Sequence, residues 1–394
     1  MLRLFSICCI LATATSCIKS DEFPASQYAC RSELESSTAS PDDAQAYADL
    51  LQSITASGIP GISMAIYHGD SLHWAGAAGY ADLANDVPFQ PCNITRVGST
   101  IKTFTAVVIM QLRDEGLLSL DHPIAQYLSG DYMDRIENAD QATIRQLLNH
   151  SSGMYNYIQS LQFQTASIND LPKEWTPEEL LSYAYDRNPA FGIGDDVSYS
   201  NTNYVLLGFL IEKLTGQTLY DAFRTRIFLP HGLAFSMFAS PDPVPDDIVR
   251  GYVDLHSNFR ITESTLYSGW DYNTADGGLI SNPHDLALFL QLLFSGAILP
   301  QATLDEMLTF TAPNELPTDF YPLAYGLGIF SMETEYGTVY FHSGDAIGYY
   351  ANMAYLPADG ISVAWASNGN YGKLDEFISS QDAIRNILGV VTNP

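Results

Sequence analysis

The chain has 394 residues, 46% of them hydrophobic and 24 of them tyrosine. That is enough apolar material for a large globular core and too much for a disordered chain. Lys and Arg number 17 against 45 Asp and Glu, a formal charge of −28, which excludes nucleic acid and anionic membrane surfaces as partners because both select basic patches.

Residues 1–16 have the layout of an export signal. Arg3 supplies the positive start, Leu4 to Ala12 an apolar core, and Ala14-Thr15-Ser16 a small-residue exit. The apolar run is too short to span a bilayer, and no later stretch is long enough. Two processing routes are open. Cleavage after Ala14 leaves Cys17, Cys30 and Cys92, an odd number for an exported chain. Cleavage before Cys17, with lipid on its thiol, leaves Cys30 and Cys92 to pair and tethers the protein to the periplasmic or envelope face of a membrane. Ser16-Cys17 resembles the end of a bacterial lipoprotein signal, although Ala14 stands where a larger aliphatic residue is usual. A Cys30–Cys92 bridge would close a loop of about 60 residues, worth about 4 kcal/mol on the chain-entropy account. Outside the cytoplasm, pairing is favoured over two free thiols.

Residues 17–45, rich in Ser, Asp, Glu, Ala and Pro, form a linker or tether, and 46–394 form the folded domain. Helical spacing appears from about Asp42 to Ser57. Strand-like runs follow at Ile62 to His68 and Ser71 to Ala78, joined by the hairpin signal Gly69-Asp70. A helix opens at Ser99 and stops near Gly116. Between about 117 and 300 the pattern is helix and loop, with helical spacing at 143–148, 177–185, 203–214 and 284–294. Strands return at 327–332, 339–342, 350–356 and 361–367, before a final helix over 374–388. Strands at both ends and helices between predict an α/β (α+β) fold. One sheet is assembled from about 60–80 and 325–367, with a helical region inserted at about 99–300.

The chemistry starts from a lysine in an apolar setting. The chain has five lysines, and Lys102 enters the run Thr103-Phe104-Thr105-Ala106-Val107-Val108-Ile109-Met110. Burial disfavours a charged amine. Ser99 lies three residues earlier, on the same helical face, so a hydroxyl sits beside a desolvated amine, one way to activate a serine. The pattern alone is weak, since Ser16 and Lys19 repeat it inside the export segment. Two further groups support it. Tyr199-Ser200-Asn201 puts a phenol near the lysine, whose charge would push it toward phenolate and fit it to move protons. Asn201 offers an amide for a substrate carbonyl and the lysine head. His342-Ser343-Gly344-Asp345 ends a strand-like run whose edge could pair with substrate backbone, Gly344 permitting close approach.

With Leu118-Ser119-Leu120-Asp121, the segment Thr143 to Gly153 and Gly277-Gly278-Leu279-Ile280-Ser281, these groups make the chain resemble the serine β-lactamase and penicillin-binding-protein superfamily. The likeness covers about residues 46–390, in the branch of D-Ala-D-Ala carboxypeptidases, class C β-lactamases and related esterases. It implies a β-lactamase/transpeptidase-like fold, an antiparallel sheet flanked by helices with the site between sheet and helical subdomain. It implies that Ser99 is acylated, Lys102 activates it, Tyr199 passes protons, and the N–H groups of Ser99 and Asp345 form an oxyanion hole. Substrate contacts fall to Asn201, His342, Ser343 and Gly344. No metal or organic cofactor is needed, and a monomer acting on a small molecule or peptide is expected. Two departures bear on substrate. His342 replaces the lysine of many relatives and removes a fixed cation at neutral pH. Asp345 stands where small or hydroxyl residues are usual, and its carboxylate would repel the acid end of a D-Ala-D-Ala peptide or penicillin.

Other residues have plainer readings. His150 belongs to a structural turn, and Asp276-Gly277-Gly278, near Trp270, shapes the cleft. There is no Gly-x-Ser-x-Gly elbow or His-Glu-x-x-His motif, and the eight histidines have no metal-ligand spacing. The expected function is an exported serine hydrolase working through acyl-Ser99, of D-Ala-D-Ala carboxypeptidase type. An esterase or β-lactamase on the same site is the alternative, and a non-catalytic envelope binding protein the third reading. Intact Ser99, Lys102 and Tyr199 argue against the last.

Overall fold

Two stretches far apart in the chain build one antiparallel sheet. The computed structural model describes residues 34, 36–238, 248–267, 274–316, 318 and 320–394. The export segment 1–16, Cys17, Lys19, Cys30 and Trp270 lie outside the described residues. The first stretch supplies β1 (Gly61–His68), β2 (Ser71–Asp82) and β3 (Val87–Pro88). The second supplies β4 (Leu323–Tyr325), β5 (Phe330–Thr334), β6 (Gly337–Ala346), β7 (Tyr349–Leu356) and β8 (Ile361–Ser367). The spatial order is β3-β2-β1-β8-β7-β6-β5-β4, so β1 and β8 zip the two stretches together from Ile62↔Ser367 to His68↔Ile361.

Both faces of the sheet are covered. The main helices are α1 (Pro41–Ala56), α2 (Ile101–Asp114), α3 (Leu161–Asn169), α4 (Asn201–Thr215), α5 (Pro283–Phe294) and α6 (Gln381–Thr392). Met64 and Ile66 of β1 join Trp365, Tyr47 and Leu51 of α1, and Ile384 and Leu388 of α6 in one core. Their neighbours Ala65 and Tyr67 join the other core, with α2, α4 and α5, as strand alternation requires. Small residues on that face (Ala65, Ala351, Ala364, Ala366) let α5 approach closely, and the Ser362 hydroxyl donates to the Ala287 carbonyl at 2.8 Å. α2 is buried nearly all round, the mark of a central helix. Among the described residues no helix is long and apolar enough to cross a membrane.

Several expected elements shift. The final helix is broken at Ser379-Ser380: a short helix Asp375–Ile378 precedes α6, whose N-cap Ser380 accepts from the Ala383 N–H. Serine hydroxyls compete with the helix for backbone groups and so favour caps. Leu327 to Ile329 is a turn rather than strand, because Gly328 takes φ +73. α3 was not foreseen. β6 is no edge strand. It lies between β5 and β7, but β5 pairs only with residues 337–341, leaving β6 bare on one side from His342 onward.

Candidate active site

The tight turn Gly98–Thr100 leads into α2 and sets Ser99 at its start. Gly98 has φ +48, and a Cβ there would lie 2.6 Å from the Asp345 carbonyl oxygen and 2.9 Å from its nitrogen. A Cβ on Gly344 would fall 2.0 Å from the Val97 oxygen and 2.6 Å from the Ser99 nitrogen. Only glycine fits at either position, so the nucleophile turn and β6 meet backbone to backbone, bringing the Ser99 and Asp345 nitrogens to one corner of the cleft.

Lys102 is fully buried. Its Nζ donates to Ser99 Oγ at 2.9 Å and to the Asp276 carbonyl, and Ser99 Oγ lies 3.3 Å from that carbonyl. The rings of Tyr199 and Tyr204 face the ammonium at 5.0 and 5.5 Å. A carbonyl, a hydroxyl and two aromatic faces thus stand in for lost water. α2 also fixes the turn that carries that carbonyl, since Thr105 Oγ1 donates to the Ala275 carbonyl oxygen at 2.9 Å.

Tyr199 sits just before α4, close enough to Ser99 for that hydroxyl to bear on its ionisation. Its loop is clamped from behind. His150 Nδ1 accepts the Ser200 N–H at 3.1 Å, the His150 carbonyl accepts the Ser198 N–H at 3.0 Å, and Asn156 Nδ2 donates to the Tyr199 oxygen at 3.2 Å. The expectation of a phenolate is corrected here. Burial drives the Tyr199 pKa well above the ordinary tyrosine value, the Ser99 hydroxyl opposes that only in part, and Asp276 adds to it. The resting phenol keeps its proton, and can donate it. Asn201 opens α4 and lines the cavity, with its backbone N–H and side-chain amide on Asn156 Oδ1 at 3.2 and 3.4 Å.

On β6, His342 is buried against Phe330, ring centroids 4.7 Å apart, and its Nδ1 lies 2.7 Å from the Ser343 carbonyl. Burial, then the nearby Lys102, pushes its pKa down to about 3, so it is uncharged. Ser343 and Asp345 line the cavity beside it. The Asp345 carboxyl opens to solvent in the cleft, yet enough protein surrounds it that lost solvation raises its pKa to about 6, with Asp375 adding and the Asn370 amide opposing.

The cavity is about 700 Å³, within the usual range for small-molecule sites. Ile158 and, from α3, Phe163 and Ile168 form one apolar wall, and Leu255, Ile347 and Tyr371 another. His150 holds the Tyr199 loop, and Asp276 and Gly277 line the cavity. The sequence carried no motif for Asn156, which ties Tyr199 to Asn201, or for Tyr157, whose hydroxyl donates to Asp276 Oδ2 at 2.9 Å. Cys92 is disulfide-bonded, and its expected partner Cys30 is outside the described residues. Among the described residues no group of His, Cys, Asp and Glu is arranged to hold a metal ion.

The family model described as Beta-lactamase matches residues 45–383. A Bacillus subtilis penicillin-binding protein is 29% identical over 74% of this chain, but the match spans only 64% of that protein's length. Penicillin-binding protein 4 of Amycolatopsis lactamdurans is 26% identical over 84% of this chain and 85% of its own. Among solved structures, a D-stereospecific amidohydrolase from Streptomyces sp. is 30% identical with a TM-score of 0.75, covering 89% of this chain and 99% of that one. The D-amino acid amidase from Ochrobactrum anthropi SV3, complexed with D-phenylalanine, is 26% identical with a TM-score of 0.79 and the same coverage. An octameric penicillin-binding protein homologue from Pyrococcus abyssi is 28% identical, with a TM-score of 0.73 over 88% of this chain and 77% of its own.

Proposed function

Because this chain belongs to the Beta-lactamase family of serine hydrolases, we propose that it is an acyl-serine amidase or esterase for donors with no carboxylate beside the scissile bond. One observation carries the substrate side. The Asp345 carboxyl opens into the cleft one residue beyond Gly344, and neighbouring His342 is uncharged, so an anionic group would meet repulsion and no compensating cation there. The D-Ala-D-Ala carboxypeptidase expected from motif order needs to hold such an anion. The amide-cleaving neighbours, named for D-stereospecific and D-amino acid substrates, support amides as the donor.

In this reading Lys102, once its ammonium has given up a proton, takes the Ser99 proton as Oγ attacks the carbonyl carbon. The oxyanion faces the N–H groups of Ser99 and Asp345, where losing one donor typically costs about a hundred- to a thousand-fold. Tyr199 gives its proton to the departing nitrogen or oxygen and is reprotonated from Lys102. Water then attacks the acyl ester by the same relay in reverse, freeing Ser99. Export belongs to the proposal as well. It is supported by the signal-like residues 1–16 and by the disulfide at Cys92, which belongs to an oxidising compartment.

The test is intact-protein mass after incubation with a fluorophosphonate or a penicillin, beside Ser99→Ala, followed by turnover of an amino-acid amide, a neutral nitrophenyl ester and a D-Ala-D-Ala peptide. The expected result is a Ser99-dependent fluorophosphonate adduct and faster turnover of the amide or ester. Faster turnover of the peptide, with a penicillin adduct, would return the site to the carboxypeptidase reading supported by the penicillin-binding relatives. No adduct with either reagent would favour the non-catalytic binding protein.

A further inference from the structure

A buried carboxylate outside the reaction holds one lip of the cleft. Tyr252-Val253 pairs in parallel with Gly369-Asn370, and the chain leaves both strands along the cavity, at Leu255 and Tyr371. Between the two exits sits Asp254, 1% exposed. Its Oδ1 accepts the Asn258 N–H at 3.0 Å, and Oδ2 accepts those of Phe259 at 3.0 Å and Lys373 at 3.3 Å. One side chain thus ties residues 254–259 to 371–373. Three non-glycine residues in these turns take left-handed backbone: Ser257 at φ +50, Phe259 at φ +59 and Tyr371 at φ +65. Gly372, at φ +60, has no room for a Cβ, which would lie 2.3 Å from the Asp254 carbonyl oxygen. Strain of this kind is uncommon and gathers at ligand clamps. The clamp presents Leu255 to the cavity at 60% exposure, while Ile168 lines it from the α3 wall at 71%. A lone exposed Leu or Ile carries no message. Two that line one cavity from different walls, one of them on a clamped and strained loop, form a rim built to be covered.

We propose that the cleft has an outer apolar subsite between Leu255 and Ile168, with Asp254 as its positioning residue, that takes the tail of a medium-chain acyl donor. The subsite is continuous with the cavity that reaches Ser99. The tail belongs to the acyl half. Tyr199 protonates the leaving group on its own side, whereas the lip joins the Asp345 end through Asn370, whose amide lies 3.4 Å from Asp345 Oδ1. Leu255, Tyr371 and Ile168 carry no charge, so the tail that fits them is a neutral alkyl chain. The substrate class is then esters or amides of medium-chain alkanoic acids, and chain length is what this subsite reads. This inference rests on the acyl-serine reading above and adds to it the length of the acyl half.

The test compares 4-nitrophenyl octanoate with 4-nitrophenyl butanoate, below the concentration at which the longer ester aggregates. The two share carbonyl and leaving group and differ by four methylenes, each worth up to about fourfold in affinity when fully buried. At an open mouth the wild-type ratio of kcat/KM should be about tenfold in favour of octanoate. Leu255→Ser and Ile168→Ser, both at exposed positions, should each shrink that ratio severalfold. Asp254→Asn withdraws an acceptor from the clamp and should shrink it too, through a raised KM for octanoate rather than a lowered kcat. A wild-type ratio of one or below would overturn the proposal, as would a ratio unmoved by both Leu255→Ser and Ile168→Ser. Those two variants decide the matter if Asp254→Asn does not fold, and an unmoved ratio in a folded Asp254→Asn removes Asp254 from the subsite. Turnover of neither ester would instead strike the hydrolase reading. Calorimetry on Ser99→Ala with octanamide and butanamide still decides the inference in that case. Tighter binding of octanamide that Leu255→Ser abolishes upholds it, and any other result refutes it.

Discussion

Around Ser99 the polar atoms meet one another: Lys102 Nζ reaches Ser99 Oγ and the Asp276 carbonyl, and Tyr199 lies close to Ser99. On the substrate side, Asp276 Oδ1 and His342 Nε2 are buried without hydrogen-bond partners. Those contacts at the nucleophile are made before substrate arrives, although His150 Nε2 and Ser200 Oγ behind Tyr199 are also unpaired, and the turn is held by backbone contacts that admit only glycine at 98 and 344. The wall opposite is incomplete, and an unsatisfied buried group persists in a native protein where function uses it. The difference separates two tasks: the chemistry is preassembled, whereas specificity is left for the ligand to finish.

The largest expected effects break the first half. Ser99→Ala should lower kcat about ten-thousand-fold or more, because the residual rate then comes only from the oxyanion hole and binding. Lys102→Met should come within about tenfold of that loss, since residues that act as one unit fail together. It should change stability far less, by no more than about 2 kcal/mol, because it removes a buried charge along with two hydrogen bonds. Burst kinetics and a urea melt read the two effects separately. A Lys102→Met protein that retains most activity would remove lysine from the relay.

Next comes Tyr199→Phe, expected to cost about a hundred- to ten-thousand-fold in kcat. Burial holds the phenol protonated, so wild-type activity should not fall between pH 7 and 10 through loss of the Tyr199 proton. An alkaline limb in that range that disappears in the phenylalanine variant would contradict the direction of that shift.

These residues were also the ones legible in the sequence, and the reason is local. Ser99 and Lys102 share a helical turn, Tyr199 and Asn201 flank one helix start, and His342 to Asp345 are consecutive on a strand, so each group shows as a short motif. Asn156 and Tyr157 act across long sequence separations, on Tyr199 and Asp276, and no spacing records such a contact. The sheet was legible because strands alternate, whereas the split of the last helix at Ser380 turned on capping chemistry that its apolar periodicity masks. The phenolate expectation weighed the charge of Lys102 alone, and burial outweighed it.

Tyr157→Phe probes the incomplete half with a smaller effect. It removes the hydroxyl from Asp276 Oδ2 and leaves both carboxyl oxygens without it, a cost of about 1–3 kcal/mol in stability. The Asp276 carbonyl should loosen with its side chain, lowering kcat by about tenfold, since small displacements at a reacting centre are felt strongly. An unchanged melt and unchanged kcat would show that Asp276 is held without Tyr157.

The smallest effect is the sharpest on the comparison, because it runs opposite to the others. The Asp345 pKa is raised to about 6 in the folded protein, first by lost solvation and then by Asp375, whereas an unfolded aspartate titrates near 3.9. Below that lower value both states are protonated and the group is neutral to stability. As pH rises through the window between about 4 and 6, the unfolded chain ionises first, so the folded state loses ground until the folded carboxyl ionises too. Asp345→Asn should therefore raise the melting temperature at pH 8 and leave it unchanged at pH 3, with the gain appearing between. The gain is modest, because cleft water already shields the carboxyl. Lys102→Met and Tyr157→Phe test residues whose partners are close; Asp345→Asn tests one that faces the open cleft with a long contact of 3.4 Å from the Asn370 amide, and a protein made more stable by losing it has kept that acid for something other than its fold. A melt at pH 8 that stays put or falls would mean that Asn370 and the cleft solvent already satisfy Asp345, and the acid wall would then be as complete as the nucleophile end.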